Sequence, residues 1–194
     1  MSERYDVITL SPDVRARYVE EELDELEGFA RSYENRFRES VAAESPDGAL
    51  SINEKATMLL ASALAGSRQL TWAMIHAING DLAPALFLSA RAQSELTGLV
   101  AYFLREFRRY PAGALTAEQL DSLLSQLIMG TLHGREELAL AIRDRLKAIR
   151  VGKFIEAVDD LIDGPHGKGL FKDCYGRLSE ACHPNVVART LISS

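Results

Sequence analysis

"DLAPALFLSARAQSELTGLVAYFLREFRR", residues 81–109, is the stretch that decides the fold. The helix that this sequence predicts has apolar side chains on nearly every face, not along a single stripe. Because such a helix must be covered by neighbours on all sides, we expect it at the centre of a helical bundle.

A second long apolar helix is predicted immediately before it. Ser51 and Glu54 form a capping box, Ser-x-x-Glu, and apolar residues continue from there to about Asn79. The Asn79-Gly80 pair is expected to end this helix, and Asp81 to cap the next one. The two helices form the long apolar central pair of the predicted bundle.

Further helical patterns flank the central pair. Ser11-Pro12 predicts a helix start, and apolar residues then recur every three or four positions to about residue 40. Thr116 and Gln119 form a second capping box for a helical pattern that reaches about residue 150, either continuous or kinked or split between Gly130 and Gly134. Two shorter helices, "KFIEAVDDLID" and "LFKDCYGRLSEAC", follow, and no convincing alternating strand is found. The sequence therefore predicts an all-α bundle of six to seven helices.

Length and composition predict one domain. We expect a single helical domain over residues 1–194, with an N-terminal helix and loop in 1–50 and the core bundle in 51–194. The formal charge of -6 and the pI of about 5.3 disfavour a protein that coats DNA. No run of about 18 apolar residues predicts a membrane span. Cys174 and Cys182 are too far apart on one helix to bridge, which favours the cytoplasm.

Motifs for bound phosphates and metals do not fit. The loop "GPHGKG", residues 164–169, has Ile162 where a phosphate-binding loop needs glycine, and Gly169 where it needs serine or threonine. Glu180 and His183 form one Glu-x-x-His pair, whereas a di-iron bundle uses two such pairs. The sequence therefore predicts no metal site and no cofactor.

Two charged residues interrupt the apolar helix at 81–109. Arg91 and Glu95 are four positions apart, so an ion pair within the helix is one interpretation. Removing a charge from water costs on the order of several kcal/mol unless the charge is paired and hydrogen-bonded. We therefore expect protein partners for both residues, and Arg177 is one candidate.

The stretch "YGRLSEACHPN", residues 175–185, combines an arginine with a histidine six positions later. On an ideal helix, Arg177 and His183 would point about 120° apart. Pro184 disfavours helical geometry at the preceding residue, so His183 can leave the helix end and approach Arg177. The planar guanidinium suits a phosphate, and the imidazole suits proton transfer.

This arginine–histidine pattern, in the last long helix of an all-α bundle, resembles the HEPN superfamily. "YGRLSEACHPN" is similar to the corresponding segment of uncharacterised bacterial HEPN-like proteins. "SARAQSEL", which contains Arg91 and Glu95, resembles the arginine–glutamate element on an earlier core helix of such proteins. In helix order, the resemblance extends over residues 55–190.

The resemblance implies a homodimer that pairs two arginine–histidine motifs in one cleft. Many members of the superfamily are metal-independent endoribonucleases of toxin–antitoxin or phage-defence systems, and others bind nucleotides or proteins without catalysis. By this resemblance, His183 would handle the proton of the attacking 2′-hydroxyl or of the leaving oxygen. Arg177 would stabilise charge on the phosphorus centre, and Glu95 would orient Arg177. The candidate binding residues are Arg91, Tyr175 and Asn185.

Two alternatives stay open. Arg177 and Glu180 are also spaced to form a surface ion pair, with His183 simply placed at a helix C-terminus. The chain would then be a non-catalytic helical module whose apolar faces bind a partner protein. Whether the protein is an enzyme is not decided by the sequence.

Overall fold

The chain is helical through most of the part that the structure describes. The computed structural model describes residues 9–36, 50–129, 149–162 and 169–182. Helices account for 83% of these residues and none of them lies in a β-strand, which confirms the prediction of an all-α protein. The seven helices of the described ranges are α1 Pro12–Arg15, α2 Glu20–Arg36, α3 Ile52–Asn79, α4 Ala83–Arg109, α5 Ala117–Met129, α6 Val151–Leu161 and α7 Leu170–Cys182.

Three predicted helix starts are confirmed by their capping hydrogen bonds. Ser11 Oγ accepts a backbone N–H at the start of α1, at 3.4 Å. At α3, the Glu54 N–H donates to Ser51 Oγ at 3.3 Å, and the Ser51 N–H donates to Glu54 Oε2 at 2.7 Å. Thr116 and Gln119 exchange the equivalent pair of bonds at α5. The hydroxyl oxygens accept from N–H groups of the first turn, which have no acceptor within the helix, and the Glu54 and Gln119 oxygens accept from the N–H of the capping residue itself.

The N-terminal helical pattern forms two helices instead of one. α1 ends at Arg15 and α2 begins at Glu20, so the predicted continuous helix is wrong across residues 16–19. Leu10 and Val14 are 4% and 0% exposed and pack in one core cluster with side chains of α2 and α3. Burial of these apolar side chains favours the broken arrangement over a straight helix.

Two compact units are built from non-contiguous parts of the chain. The first unit comprises the described residues of 1–37, 64–94 and 173–194, and the second unit those of 38–63 and 95–172. The long helices α3 and α4 each contribute residues to both units. The single domain over 1–194, with its subdivision at residue 50, stays a prediction.

The core of the first unit is small and contains a carboxylate. Glu27 is 4% exposed, and its Oε1 accepts from the Leu10 N–H at 2.9 Å and lies 2.8 Å from Arg15 Nη2. Hydrogen bonds to Glu27 and then to Asp24 raise the pKa of the Arg15 guanidinium. The buried charge therefore has the partners that desolvation demands. The buried apolar residues of this core are Leu10, Val14, Leu23, Ala30 and Ile75.

The core of the second unit is larger and mainly apolar. Its first cluster joins α3, α4 and α5 and consists of Leu59, Phe103, Leu120 and Leu124. Its second cluster joins α4 and α6 and consists of Ala101, Tyr102, Ala157 and Val158. Its buried carboxylate, Glu106, pairs with Arg109 Nη1 at 2.6 Å within α4. Ion pairs between helices of this unit involve more exposed carboxylates, as in Lys55 Nζ to Asp121 Oδ1 at 2.6 Å and Arg105 Nη1 to Asp160 Oδ2 at 2.8 Å.

The packing of α4 against α6 depends on a glycine. A Cβ atom added to Gly98 would lie 2.9 Å from the backbone carbonyl carbon of Phe154, which is closer than real Cβ atoms approach other atoms. One turn later on α4, the Tyr102 ring lies 5.6 Å from the Phe154 ring, centroid to centroid. Burial raises the pKa of the Tyr102 hydroxyl, and the nearby Glu106 carboxylate raises it further.

The predicted central pair of buried apolar helices is not confirmed. Leu60 of α3 and Leu88 of α4 are 39% and 56% exposed. Within α4, which is described throughout, no residue before Gly98 is buried. Asp81, which was expected to cap α4, instead adopts a left-handed φ of 54° in the turn before Leu82. An apolar composition on most faces therefore does not place these helices at a common centre.

Candidate functional site

The predicted site falls on α7 and on the residues that follow it. Tyr175 and Arg177 lie in this helix, where Tyr175 is half-buried and Arg177 is exposed. His183 and Asn185 come after its last described residue and lie outside the described residues. Their placement, and therefore the arginine–histidine geometry, stays a prediction.

Two of the predicted binding residues come together in the first unit. The guanidinium carbon of Arg91, on α4, lies 5.8 Å from the centroid of the Tyr175 ring, on α7. Both side chains are half-buried. A cation over an aromatic face at this distance contributes roughly 0.5–2 kcal/mol, depending on its desolvation. This contact links α7 to α4 within the unit, two residues before Arg177.

Arg177 lies on the solvent side of α7 between two acidic residues. Asp173 and Glu180, also exposed, are four positions before it and three positions after it. Within the described ranges, Arg177 forms no ion pair and no hydrogen bond, so the alternative of an Arg177–Glu180 surface pair is wrong there. The guanidinium is therefore accessible to an anionic ligand.

Glu95 and Arg177 belong to different units. Glu95 is a half-buried residue of α4 in the second unit, whereas Arg177 is part of the first unit. Glu95 also takes part in another interaction, so it is not an unpaired carboxylate. Its predicted role in orienting Arg177 stays a prediction.

Ser179 is a feature of α7 that sequence reasoning missed. Its Oγ atom is buried and, among the residues that the structure describes, has no hydrogen-bond partner. Ser179 follows Tyr175 by one helical turn, so the two share the half-buried side of the helix. Since a buried hydroxyl without a partner costs free energy, a hydrogen-bonding group belongs next to it.

A polar cluster on α2, α3 and α4 was also missed. Arg68 Nε donates to Glu34 Oε1, and the Arg68 guanidinium carbon lies 4.1 Å from the centroid of the Trp72 ring. The side chains of Arg68 and Glu34 are 13% and 19% exposed. Gln93 Nε2 donates to the Tyr33 hydroxyl at 3.4 Å. An arginine within an otherwise apolar helix was the signal, and this cluster joins three helices of the first unit.

The described part of the chain contains neither a cluster of metal ligands nor a helix that could span a membrane. Among the described residues, no group of three or more His, Cys, Asp or Glu side chains could hold a metal ion. No helix within those ranges has the length and apolar character needed to cross a bilayer. Cys174 is exposed and Cys182 is half-buried, and both are free thiols, as their spacing predicts.

Comparisons with known proteins give no assignment. The chain matches no protein-family model, no curated protein and no solved structure. The resemblance to the HEPN superfamily therefore rests on the residues of the two motifs alone. What supports a function is the chemistry of α7 and the contact that α7 makes with Arg91.

Proposed function

We propose that this protein is a HEPN-like helical protein that binds RNA or a nucleotide at α7 and cleaves RNA with Arg177 and His183. The observation that carries the proposal is the accessibility of the Arg177 side chain. It is exposed and, in the described ranges, forms no ion pair with either acidic neighbour on its helix. An accessible guanidinium can offer a phosphate two parallel N–H donors.

The proposed reaction needs a base or acid and a charge stabiliser. The ribose 2′-hydroxyl attacks the adjacent phosphorus and loses its proton, and the leaving 5′-oxygen gains one. This leaves a cyclic phosphate on one fragment and a free 5′-hydroxyl on the other. His183 takes or delivers the proton, and Arg177 stabilises the negative charge that develops on the phosphoryl oxygens. Glu95 is the proposed positioning residue for Arg177.

The contact between Arg91 and Tyr175 supports the same location. It joins α7 to α4 by a half-buried cation–π contact, two residues before Arg177. The proposed biological setting is a toxin or phage-defence system in the cytoplasm. In the proposal, two copies pair their motifs as a homodimer.

The test is a ribonuclease assay on total RNA in the presence of EDTA. We expect wild-type cleavage and a loss of at least about 100-fold in both His183→Ala and Arg177→Ala, which is the usual contribution of such groups. Lys172→Ala is the matched control because it removes another exposed cation from α7, and it should retain activity.

The same variants separate cleavage from binding. Fluorescence anisotropy with a labelled single-stranded RNA at two salt concentrations reports the phosphate contacts. Arg177→Ala should weaken binding, whereas His183→Ala should bind like the wild type and fail to cleave. Equal cleavage by all four proteins would identify a contaminant and remove the enzymatic proposal. Unchanged RNA binding by Arg177→Ala would remove the proposed binding site.

A non-catalytic protein-interaction module is the second candidate function. It is favoured by large apolar side chains that the first unit exposes, with Phe29, Leu82 and Leu88 at 61%, 55% and 56% exposure. Side chains of this size on a surface are typical of protein contact sites when they adjoin one another. A wild-type protein that is folded by circular dichroism but neither binds nor cleaves RNA would favour this function.

A further inference from the structure

The N-terminal segment of the described chain is attached to the first unit like a strap. We define the strap as residues 9–15. The Leu10 N–H donates to the buried Glu27 carboxylate at 2.9 Å. Asn79 completes the attachment, since its Oδ1 accepts from the Ser11 N–H at 2.8 Å and its Nδ2 donates to the Thr9 carbonyl at 3.0 Å. Side chains of α2 and α3 thus bind the backbone of the strap.

The strap also fills an apolar groove. Leu10 and Val14, four positions apart, pack in one cluster with Leu23 and Ala30 of α2 and Ile75 of α3. Val14 and Ile75 have no exposed surface. The groove therefore binds two apolar side chains that are one helical turn apart. The backbone N–H of the first of these residues also donates to a buried carboxylate.

The connection from the strap to α2 contains no residue that breaks a helix. Residues 16–19 read Ala-Arg-Tyr-Val, and neither glycine nor proline is among them. Their sequence continues the apolar spacing of α2, yet the structure makes a turn there. Tyr18 and Val19 are 57% and 58% exposed in this turn. The turn is therefore imposed by the groove contacts of the strap and not by local sequence.

We propose that the strap is exchanged between two copies of this chain. In the exchanged form, residues 16–19 become helical, α1 and α2 join into one helix, and the strap of each copy fills the groove of the other. This inference goes beyond the proposed function, because none of its residues belongs to the RNA site. The partner is a second copy because the strap itself is the segment that complements the groove.

The balance between the closed single chain and the exchanged dimer depends on residues 16–19, which connect the strap to α2. Every strap contact described above is the same in both forms, so these contacts do not favour either one. The short connection gives the strap an effective concentration on the order of millimolar at its own groove, which favours the closed single chain. Exchange is favoured by helix formation at residues 16–19, as is typical of short hinges in domain swapping. It also moves Tyr18 and Val19 out of the turn in which they are exposed.

The test is a cross-link that only exchange permits. Cys174 and Cys182 are first replaced by serine. One copy then carries Ser11→Cys and the other Asn79→Cys, so that neither copy can join its own strap to its own groove. After the two are mixed at high concentration, a disulfide-linked heterodimer is expected under mild oxidation. A single chain with both cysteines is the positive control, and a short bismaleimide replaces oxidation if its disulfide does not form.

Substituting proline at residue 20 distinguishes exchange of the strap from other modes of association between two copies. Glu20 is the first residue of α2, where proline is tolerated, but in a joined helix this position is interior and proline breaks it. Adding Glu20→Pro to both copies should lower the yield of cross-linked heterodimer at least about tenfold. Glu20→Ala is the control because it also loses the ion pair with Arg15.

Two outcomes would overturn the exchange. The first is a positive control that links fully within one chain while the mixture yields no heterodimer. The second is a heterodimer whose yield is the same with Glu20→Pro and Glu20→Ala. Neither outcome bears on the ribonuclease assay, so this inference and the proposed function fail independently.

Discussion

The two units place their charged groups differently. In the first unit, Glu27 and the Arg68–Glu34 pair lie among the packed side chains, and each has specific partners. In the second unit, the buried Glu106 pairs with Arg109 of its own helix, and the ion pairs of Lys55 and Arg105 that join different helices involve carboxylates that are 44% and 63% exposed. Both units have apolar clusters, but charged contacts between helices lie in the packed interior of the first unit and nearer the surface in the second.

The largest expected effect comes from the apolar core of the second unit. Leu124→Ala removes a side chain with no exposed surface and should lower the free energy of unfolding by about 2–5 kcal/mol. Val14→Ala in the first unit removes fewer carbon atoms and should cost less. Urea unfolding followed by circular dichroism measures both. Leu161→Ala, at a position that is 42% exposed, is the control and should change little. An effect of Val14→Ala as large as that of Leu124→Ala would contradict the comparison.

An intermediate effect is expected from the polar interior of the first unit. Glu34→Gln removes the carboxylate that pairs with the largely buried Arg68 guanidinium. This substitution should destabilise the fold by roughly 1–3 kcal/mol. Glu25→Gln, at an exposed position of the same helix, should have almost no effect. If Arg68→Met added to Glu34→Gln recovers stability, the loss came from the Arg68 charge after its ion pair with Glu34 is removed. Equal unfolding of Glu34→Gln and Glu25→Gln would show that the polar cluster does not stabilise the first unit.

The smallest expected effect concerns Tyr102 at alkaline pH. Burial raises the pKa of its hydroxyl, so the folded state holds this proton more tightly than the unfolded state, where the pKa is about 10. The resulting stability is present below that pH and is lost as the pH rises through the raised pKa. Tyr102→Phe should therefore lose less stability than the wild type above about pH 10, while the two should differ little at pH 7. Parallel pH profiles for the two proteins would be the contrary result.

Local features were predictable, and the structure confirms them. The capping boxes of Ser51 with Glu54 and of Thr116 with Gln119 each need only four consecutive residues. The helix type of the long segments follows from the spacing of apolar residues. Such features depend on neighbours in the chain, so sequence alone is sufficient to find them.

Features that depend on distant parts of the chain were not predictable. The break at residues 16–19 depends on a core cluster that includes both Leu10 and Ile75, which are far apart in sequence. The pairing of Arg68 with Glu34 likewise joins two helices, and neither residue has a local reason to be buried. Apolar spacing also did not reveal that α4 has no buried residue before Gly98.

The candidate site likewise combines features that were predictable from the sequence with features that were not. The resemblance named Arg91 and Tyr175 as binding residues, and the structure brings these side chains together. The geometry of Arg177 with His183 stays a prediction, because His183 lies outside the described residues. Ser179 was missed because the burial of its hydroxyl is decided by tertiary packing.

The close contact between Gly98 and Phe154 has a consequence for sequence divergence. Any homologue that keeps this approach of α4 to α6 should keep glycine at position 98, since a Cβ atom there would meet the backbone at 2.9 Å. Gly28 and Gly152 have open space around them and should drift to alanine or other residues over evolutionary time. The contrast among these three glycines gives a criterion of common ancestry that does not rely on the arginine–histidine motif.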